Sequence, residues 1–212
     1  MEILNQLSSR KGDKTEIANR LVAEKYIANP KTLVEIAIGL EEADKKLQSD
    51  CIEVFTIVAE VKPEFVVPYA ENILPLLYSK ETKTRWEAVH TLSFIADKIP
   101  DIIVSVLPAL QSLVEKDKST IVRDYAMDTV ANYAKVSAET SEKSYEILKF
   151  ALELWGEKHA KQVFKGFNNV LSNCSDCKAE INLLVQPYLT ANKKIVATEA
   201  KKIVKRIEQQ TN

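Results

Sequence analysis

Residues 85–95, Arg85-Trp86-Glu87-Ala88-Val89-His90-Thr91-Leu92-Ser93-Phe94-Ile95, and residues 123–133, Arg123-Asp124-Tyr125-Ala126-Met127-Asp128-Thr129-Val130-Ala131-Asn132-Tyr133, carry one pattern twice. Each has an arginine three residues before a small apolar anchor, Ala88 or Ala126, and large apolar side chains four and seven residues after it. Apolar residues at 0, +4 and +7 line one face of an α-helix. The same set recurs at Cys51, Val163 and Ala200: Phe55, Phe167 and Val204 stand four positions on, and Val58, Val170 and Ile207 stand seven on. Successive anchors are 37, 38, 37 and 37 residues apart, and a first copy anchored on Ala18 precedes Cys51 by 33. Pro30, Pro63 and Pro100, each 12 residues past its anchor, stop the helix, because proline has no N–H to continue it.

Between anchors lies a further helical stretch per copy: TLVEIAIGL (32–40), VVPYAENILPLLYS (66–79), IIVSVLPALQSLVEK (102–116), SYEILKFALELW (144–155) and AEINLLVQPYLT (179–190). Ile103, Val106, Leu107, Leu110, Leu113 and Val114 are spaced by three and four, again one helix face. The connections SKETKT (79–84) and KDKST (116–120) are short and polar, with Ser and Thr available to cap the next helix. No β-type alternation is sustained, and four glycines in 212 residues leave little material for hairpin turns or phosphate loops. Each copy therefore reads as a helix hairpin. A lone hairpin cannot bury both apolar faces, so hairpins stack and the ends turn polar. Lys201 and Glu208 stand in the last copy where earlier copies are apolar, which predicts a solvated terminal face and a complete short stack.

This period, the Leu-Pro motifs at Leu74-Pro75 and Leu107-Pro108, and Arg85 and Arg123 before the second-helix alanines make the chain resemble the HEAT/armadillo class of α-solenoids. In the outer copies Gln48, Ala160 and Ala197 replace the arginine. The resemblance covers residues 13 to 209 and implies an all-α superhelix of about six HEAT-like hairpins, a single repeat domain over residues 1–212 with anchors near 18, 51, 88, 126, 163 and 200. It specifies a fold far better than a function.

The start lacks an apolar targeting segment, and the stretch from Ile102 to Leu110 is far short of the ~18 residues a membrane span needs. The expected location is cytoplasmic or nuclear, with no membrane span. Three cysteines at no framework spacing argue for a reducing compartment. Cys174 and Cys177 have the C-x-x-C spacing, but a structural zinc needs two further ligands, and only Cys51, His90 and His159 remain. They are read as incidental loop cysteines, with no metal and no cofactor. Two histidines are too few for the di-iron centre of HEAT-type hydroxylases, and neither a Gly-rich phosphate loop nor a G-x-S-x-G elbow is present. No small-molecule substrate is implied.

Charge is informative once placed on the repeat. If second helices line the concave face, positions −2, +2, +5, +6 and +9 from each anchor are expected to be exposed there. They run from Glu53 and Glu60, through Trp86, His90 and Phe94, to Asp124 and Asp128, then Lys161 and Lys165, and finally Lys202, Lys205 and Arg206. The halves agree: residues 1–106 hold 13 basic and 17 acidic residues, net −4, and residues 107–212 hold 16 and 13, net +3. Surface charge also covers any solvated helix without a partner. An aromatic centre in a charged rim is nonetheless what a protein-binding surface presents. The expectation is a non-catalytic module that presents a rigid concave surface to a protein or peptide. Trp86, His90, Phe94, Asp124, Asp128, Lys161, Lys165, Lys202, Lys205 and Arg206 are its contact residues. The alternatives are nucleic-acid binding through the basic C-terminal repeats and, by further resemblance, a HEAT-like alkylpurine DNA glycosylase. The net charge of −1 argues against the latter, because gripping phosphates needs a basic groove.

Overall fold

In the computed structural model, residues 2–29 and 33–210 are described, so Pro30 and Thr32 of the sequence reading lie outside them. The chain divides into two compact units, Met1–Ile102 and Ile103–Asn212. Among the described residues there are twelve α-helices and no strand.

The first unit holds α1 (Ser8–Lys11), α2 (Ile17–Ala28), α3 (Leu33–Leu40), α4 (Lys45–Val61), α5 (Ala70–Ile73) and α6 (Thr82–Ile95). Here α2, α4 and α6 carry the anchors Ala18, Cys51 and Ala88, and α4 packs against α2, α3 and α6. α7 (Pro100–Lys116) begins at the end of this unit and runs into the second. The second unit continues with α8 (Thr120–Tyr133), α9 (Ala138–Trp155), α10 (Ala160–Val170), α11 (Lys178–Val185) and α12 (Lys194–Gln209). α10 packs against α8, α9 and α12.

The stripe read from the sequence is the core. Phe55, Leu92, Val130 and Phe167 at +4, and Val58, Ile95 and Val170 at +7, are fully buried. Glycines let neighbouring helices approach closely at two places. A Cβ on Gly39 of α3 would lie 2.4 Å from the Cys51 Sγ of α4, and one on Gly166 of α10 would lie 2.5 Å from the Leu148 Cδ1 of α9. Val204 is only half-buried, and Lys201 and Glu208 are exposed, so the last helix does present a polar side.

The residue three before the anchor has a shared task. A first helix ends with carbonyls that have lost their intrahelical partners. Arg85 Nη1 donates to the Ser79 and Lys80 carbonyls, at 2.7 and 3.1 Å, and Arg123 Nη1 donates to the Asp117 carbonyl. Gln48, which replaces the arginine in copy two, donates its amide to the Leu40 carbonyl at 2.7 Å. Ser119 caps α8 as expected, whereas in 79–84 the Ser79 hydroxyl takes the Glu81 N–H and α6 has no side-chain cap.

Three readings need correction. The stretch 66–79 is not one helix: a 3₁₀ turn at Val67–Tyr69, the single turn α5 and a 3₁₀ segment Leu74–Tyr78 replace it. Pro68 and Pro75 each remove an N–H from the α-helical ladder, while Pro108 is tolerated inside the longer α7. Cys174 and Cys177 are not separate loop thiols but a disulfide, leaving Cys51, buried, as the free thiol among the described cysteines.

Glu53 and Thr56, expected on an open face, are buried, because α2 and α6 both cover α4. Buried charge must be paired and hydrogen-bonded. Asn19 Nδ2 donates to Asp50 Oδ1 and Glu53 Oε2, both at 3.0 Å, and Lys83 donates to Glu53 Oε2 at 2.7 Å. The Thr56 and Thr91 hydroxyls meet at 2.8 Å. Burial pushes the nearby Glu87 carboxyl up from 4.5 to about 7; the Glu53 charge pushes the same way, against the Thr56 hydroxyl and Lys83.

Two outcomes follow from this packing. Leu92→Ala is expected to lower the unfolding free energy by about 2–5 kcal/mol in urea titration, as a truncation in a fully buried site. A folded-state carboxyl raised from 4.5 to about 7 contributes stability that is full below about 4.5 and lost as pH rises through 7. Glu87→Gln removes that loss, so its stability relative to the parent is expected to improve by up to about 3 kcal/mol between pH 4 and 8. A difference independent of pH would show that Glu87 titrates alike in the folded and unfolded chains.

Candidate functional site

The ten residues singled out in the sequence fall on four second helices. Trp86, His90 and Phe94 stand at successive four-residue steps on α6 of the first unit, and all three are half-buried. The His90 and Phe94 rings lie 4.9 Å apart between centroids. Burial pushes His90 down from 6.5 to about 4, so its imidazole is neutral at physiological pH. The Trp86 indole N–H is buried without a hydrogen-bond partner among the described residues. This row is an apolar, neutral surface in an otherwise acidic unit.

The remaining seven lie in the second unit: Asp124 and Asp128 on α8, Lys161 and Lys165 on α10, and Lys202, Lys205 and Arg206 on α12. Since α10 packs against both α8 and α12, the three helices present their flanks side by side. Lys165 Nζ reaches Asp128 Oδ1 at 3.0 Å, and Lys202 Nζ reaches Glu199 Oε1 at 2.7 Å. Arg206 is half-buried and donates to the Asn168 carbonyl and, at 2.8 Å, to the Ser172 hydroxyl. Lys161 and Lys205 are exposed and enter no ion pair among the described residues. Asp128, Lys161, Gln162, Lys165 and Glu199 line an open depression of about 260 Å³.

Asp124, within the expected row, is not open charge. Asp124 Oδ1 lies 2.6 Å from His159 Nδ1, and Arg123 Nε lies 3.0 Å from His159 Nε2. An arginine Nε–H can only donate, so Nε2 accepts and the proton sits on Nδ1, which donates to Asp124. Arg123 also stacks on Trp155, 4.2 Å from its centroid, and the indole N–H donates to the Val114 carbonyl at 2.9 Å. This cluster ties α7, α8 and α9 to the start of α10, and with the Lys165–Asp128 pair it leaves Asp124 and Asp128 each committed to a neighbour.

The +5 and +6 positions of copy five, Asn168 and Asn169, complete the face. Asn169 Nδ2 donates to the Ala131 carbonyl at 2.8 Å, and Asn168 supplies the carbonyl that Arg206 takes. His159 was weighed only as a metal ligand. Its one sign in the sequence was that copy five lacks the arginine and carries a histidine one position earlier. A wider depression of about 840 Å³ on the first unit, with Leu40, Leu76 and the exposed Tyr78 among its lining, contains none of the ten residues. Among the described residues no cluster of His, Cys, Asp and Glu is arranged to hold a metal. No described helix is long and apolar enough to cross a membrane.

Comparison with protein-family models gives no match, and comparison with curated proteins gives none. Solved structures of designed repeat proteins are similar. A designed armadillo repeat protein in complex with the peptide (KR)4 aligns with a TM-score of 0.76 at 18% identity, over 97% of this chain and 98% of that one. A computationally designed armadillo repeat protein for modular peptide recognition gives 0.71 at 18% identity, over 96% and 98%. An engineered protein gives 0.74 at 19% identity, over 98% of this chain and 96% of that one. At such identity the likeness establishes the fold alone. The chain has the all-helical fold of HEAT/armadillo-type repeat proteins.

Proposed function

We propose that the chain is a non-catalytic module that binds a peptide or helical segment of another protein, and that the α8–α10–α12 face of the second unit makes the contact. The observation that carries this reading is the state of its charges. Asp124, Asp128 and Glu199 are each taken by a neighbour, while Lys161 and Lys205 are exposed and in no ion pair among the described residues. The second unit has a net charge of +3, from 16 basic and 13 acidic residues. A complementary partner is an acidic segment, opposite in sign to the (KR)4 peptide held by the designed armadillo protein. The open form of the 260 Å³ depression suits an extended chain or one side of a helix better than a small molecule.

Trp86, His90 and Phe94 are a separate candidate anchor on the first unit, of the half-buried aromatic kind that supplies binding energy at interfaces. Nucleic acid remains the second reading of the basic face, because phosphates and carboxylates both satisfy lysine.

The test is fluorescence anisotropy with a labelled peptide rich in Glu and Leu, beside a DNA duplex, over a salt series. Lys161→Glu with Lys205→Glu is expected to weaken peptide binding at least about tenfold, mainly through the association rate. Trp86→Ala, if that row is an anchor, raises the dissociation rate instead. Tighter binding of duplex, with a steep log-linear loss in salt, transfers the face to nucleic acid. Affinity for both ligands unaltered by the charge reversal removes the face from either role.

A further inference from the structure

The disulfide between Cys174 and Cys177 lies in the connection between α10 and α11 and joins residues only three apart. Closing so short a loop removes little chain entropy, so a purely stabilising role is weakly supported. Both cysteines are nearly buried, 4% and 7% exposed, at the wall of an open depression of about 490 Å³, which is where a small reagent would meet them. Four carboxylates share its wall, Glu142, Glu146, Asp176 and Glu180, against one lysine, Lys143. Lys143 is held by Glu139 at 2.6 Å, and Glu180 is taken by Lys149. Glu142, Glu146 and Asp176 enter no ion pair among the described residues. Cys177 is the N-cap of α11, and its backbone N–H donates to Cys174 Sγ at 3.3 Å.

We propose that Cys174–Cys177 is a reactive disulfide that exchanges with small thiols through this depression, in preference for cationic or neutral thiols over anionic ones. A thiolate attacks Cys177 Sγ; the S–S bond breaks and its electron pair leaves on Cys174 Sγ, where the Cys177 N–H stabilises the charge. A second thiolate attacks the outer sulfur of the mixed disulfide and releases Cys177 as a thiolate. Two thiols are oxidised to one disulfide, the protein disulfide gains two electrons, and the two thiol protons end on Cys174 and Cys177. The surrounding carboxylates repel a thiolate that carries a carboxylate more than an uncharged-tailed one, and a thiolate that carries an ammonium group least, an effect that salt screens.

The test uses the full chain purified without reductant. Alkylation with N-ethylmaleimide after denaturation is expected to label one cysteine, Cys51, by mass spectrometry; three labels overturn the proposal. Native protein is then reduced with cysteamine, 2-mercaptoethanol or 3-mercaptopropionate, with rates expressed per concentration of thiolate. The expected order is cation, neutral, anion, with about tenfold between the extremes at low salt and about twofold or less at 1 M salt. Glu142→Gln, Glu146→Gln and Asp176→Asn together narrow the low-salt ratio toward unity while far-UV circular dichroism stays the same. If that variant does not fold, the reagent series on the parent chain decides alone. Equal rates for the three reagents at low salt, or a rate independent of thiol concentration because global unfolding limits it, overturn the proposal.

Discussion

The side chain at the middle of each second helix has neighbours on more than one side and must therefore be small. Cys51, Ala88, Ala126, Val163 and Ala200 are fully buried. α4 is covered by α2, α3 and α6, and α10 by α8, α9 and α12. At such close approach, polar residues on the helix flanks lose water as well, and many of them find a partner within the stack, with the Trp86 indole N–H and Glu53 Oε1 as exceptions. That one constraint produces the Asn19–Asp50–Glu53–Lys83 network in the first unit and the Arg123–His159–Asp124 cluster in the second. The position three before the anchor carries a long donor in three copies, which reaches the carbonyls left unpaired where the preceding helix ends.

The repeat register was legible because a period near 37 residues recurs with the same apolar offsets, and nothing but burial requires that. Polar positions were less legible. Glu53 at +2 and Thr56 at +5 belong by offset to a solvated row, yet neighbouring helices close over them. Asp124 was readable as an acid but not as an acid spent on a histidine 35 residues away. Side-chain pairing across repeats depends on rotamers and interhelical distance, neither of which leaves a periodic trace. The break at Pro68 and Pro75 was visible as residues but not as an outcome, since Pro108 sits inside an unbroken helix.

The charges of the second unit differ in how firmly they are held. His159 is completely buried, so its bond to Asp124 is part of the core. The Lys165–Asp128 and Lys202–Glu199 pairs reach solvent through their lysines, and exposed pairs contribute only about 0–1 kcal/mol. A ligand carboxylate can therefore displace them at small cost and add the charges of Lys161 and Lys205. The proposed binding role would draw on this contrast, with polar groups buried in the scaffold and lysines at the rim.

The most direct measurement is a map of amide chemical shifts in the isotopically labelled chain as an acidic peptide is titrated in. The account predicts shifts concentrated on α8, α10 and α12, strongest around Asp128, Lys161, Lys165 and Lys205, with the Arg123–His159 cluster unmoved. Shifts confined to α9 and α11, or to the depression around Tyr78, would contradict it and place recognition elsewhere on the chain.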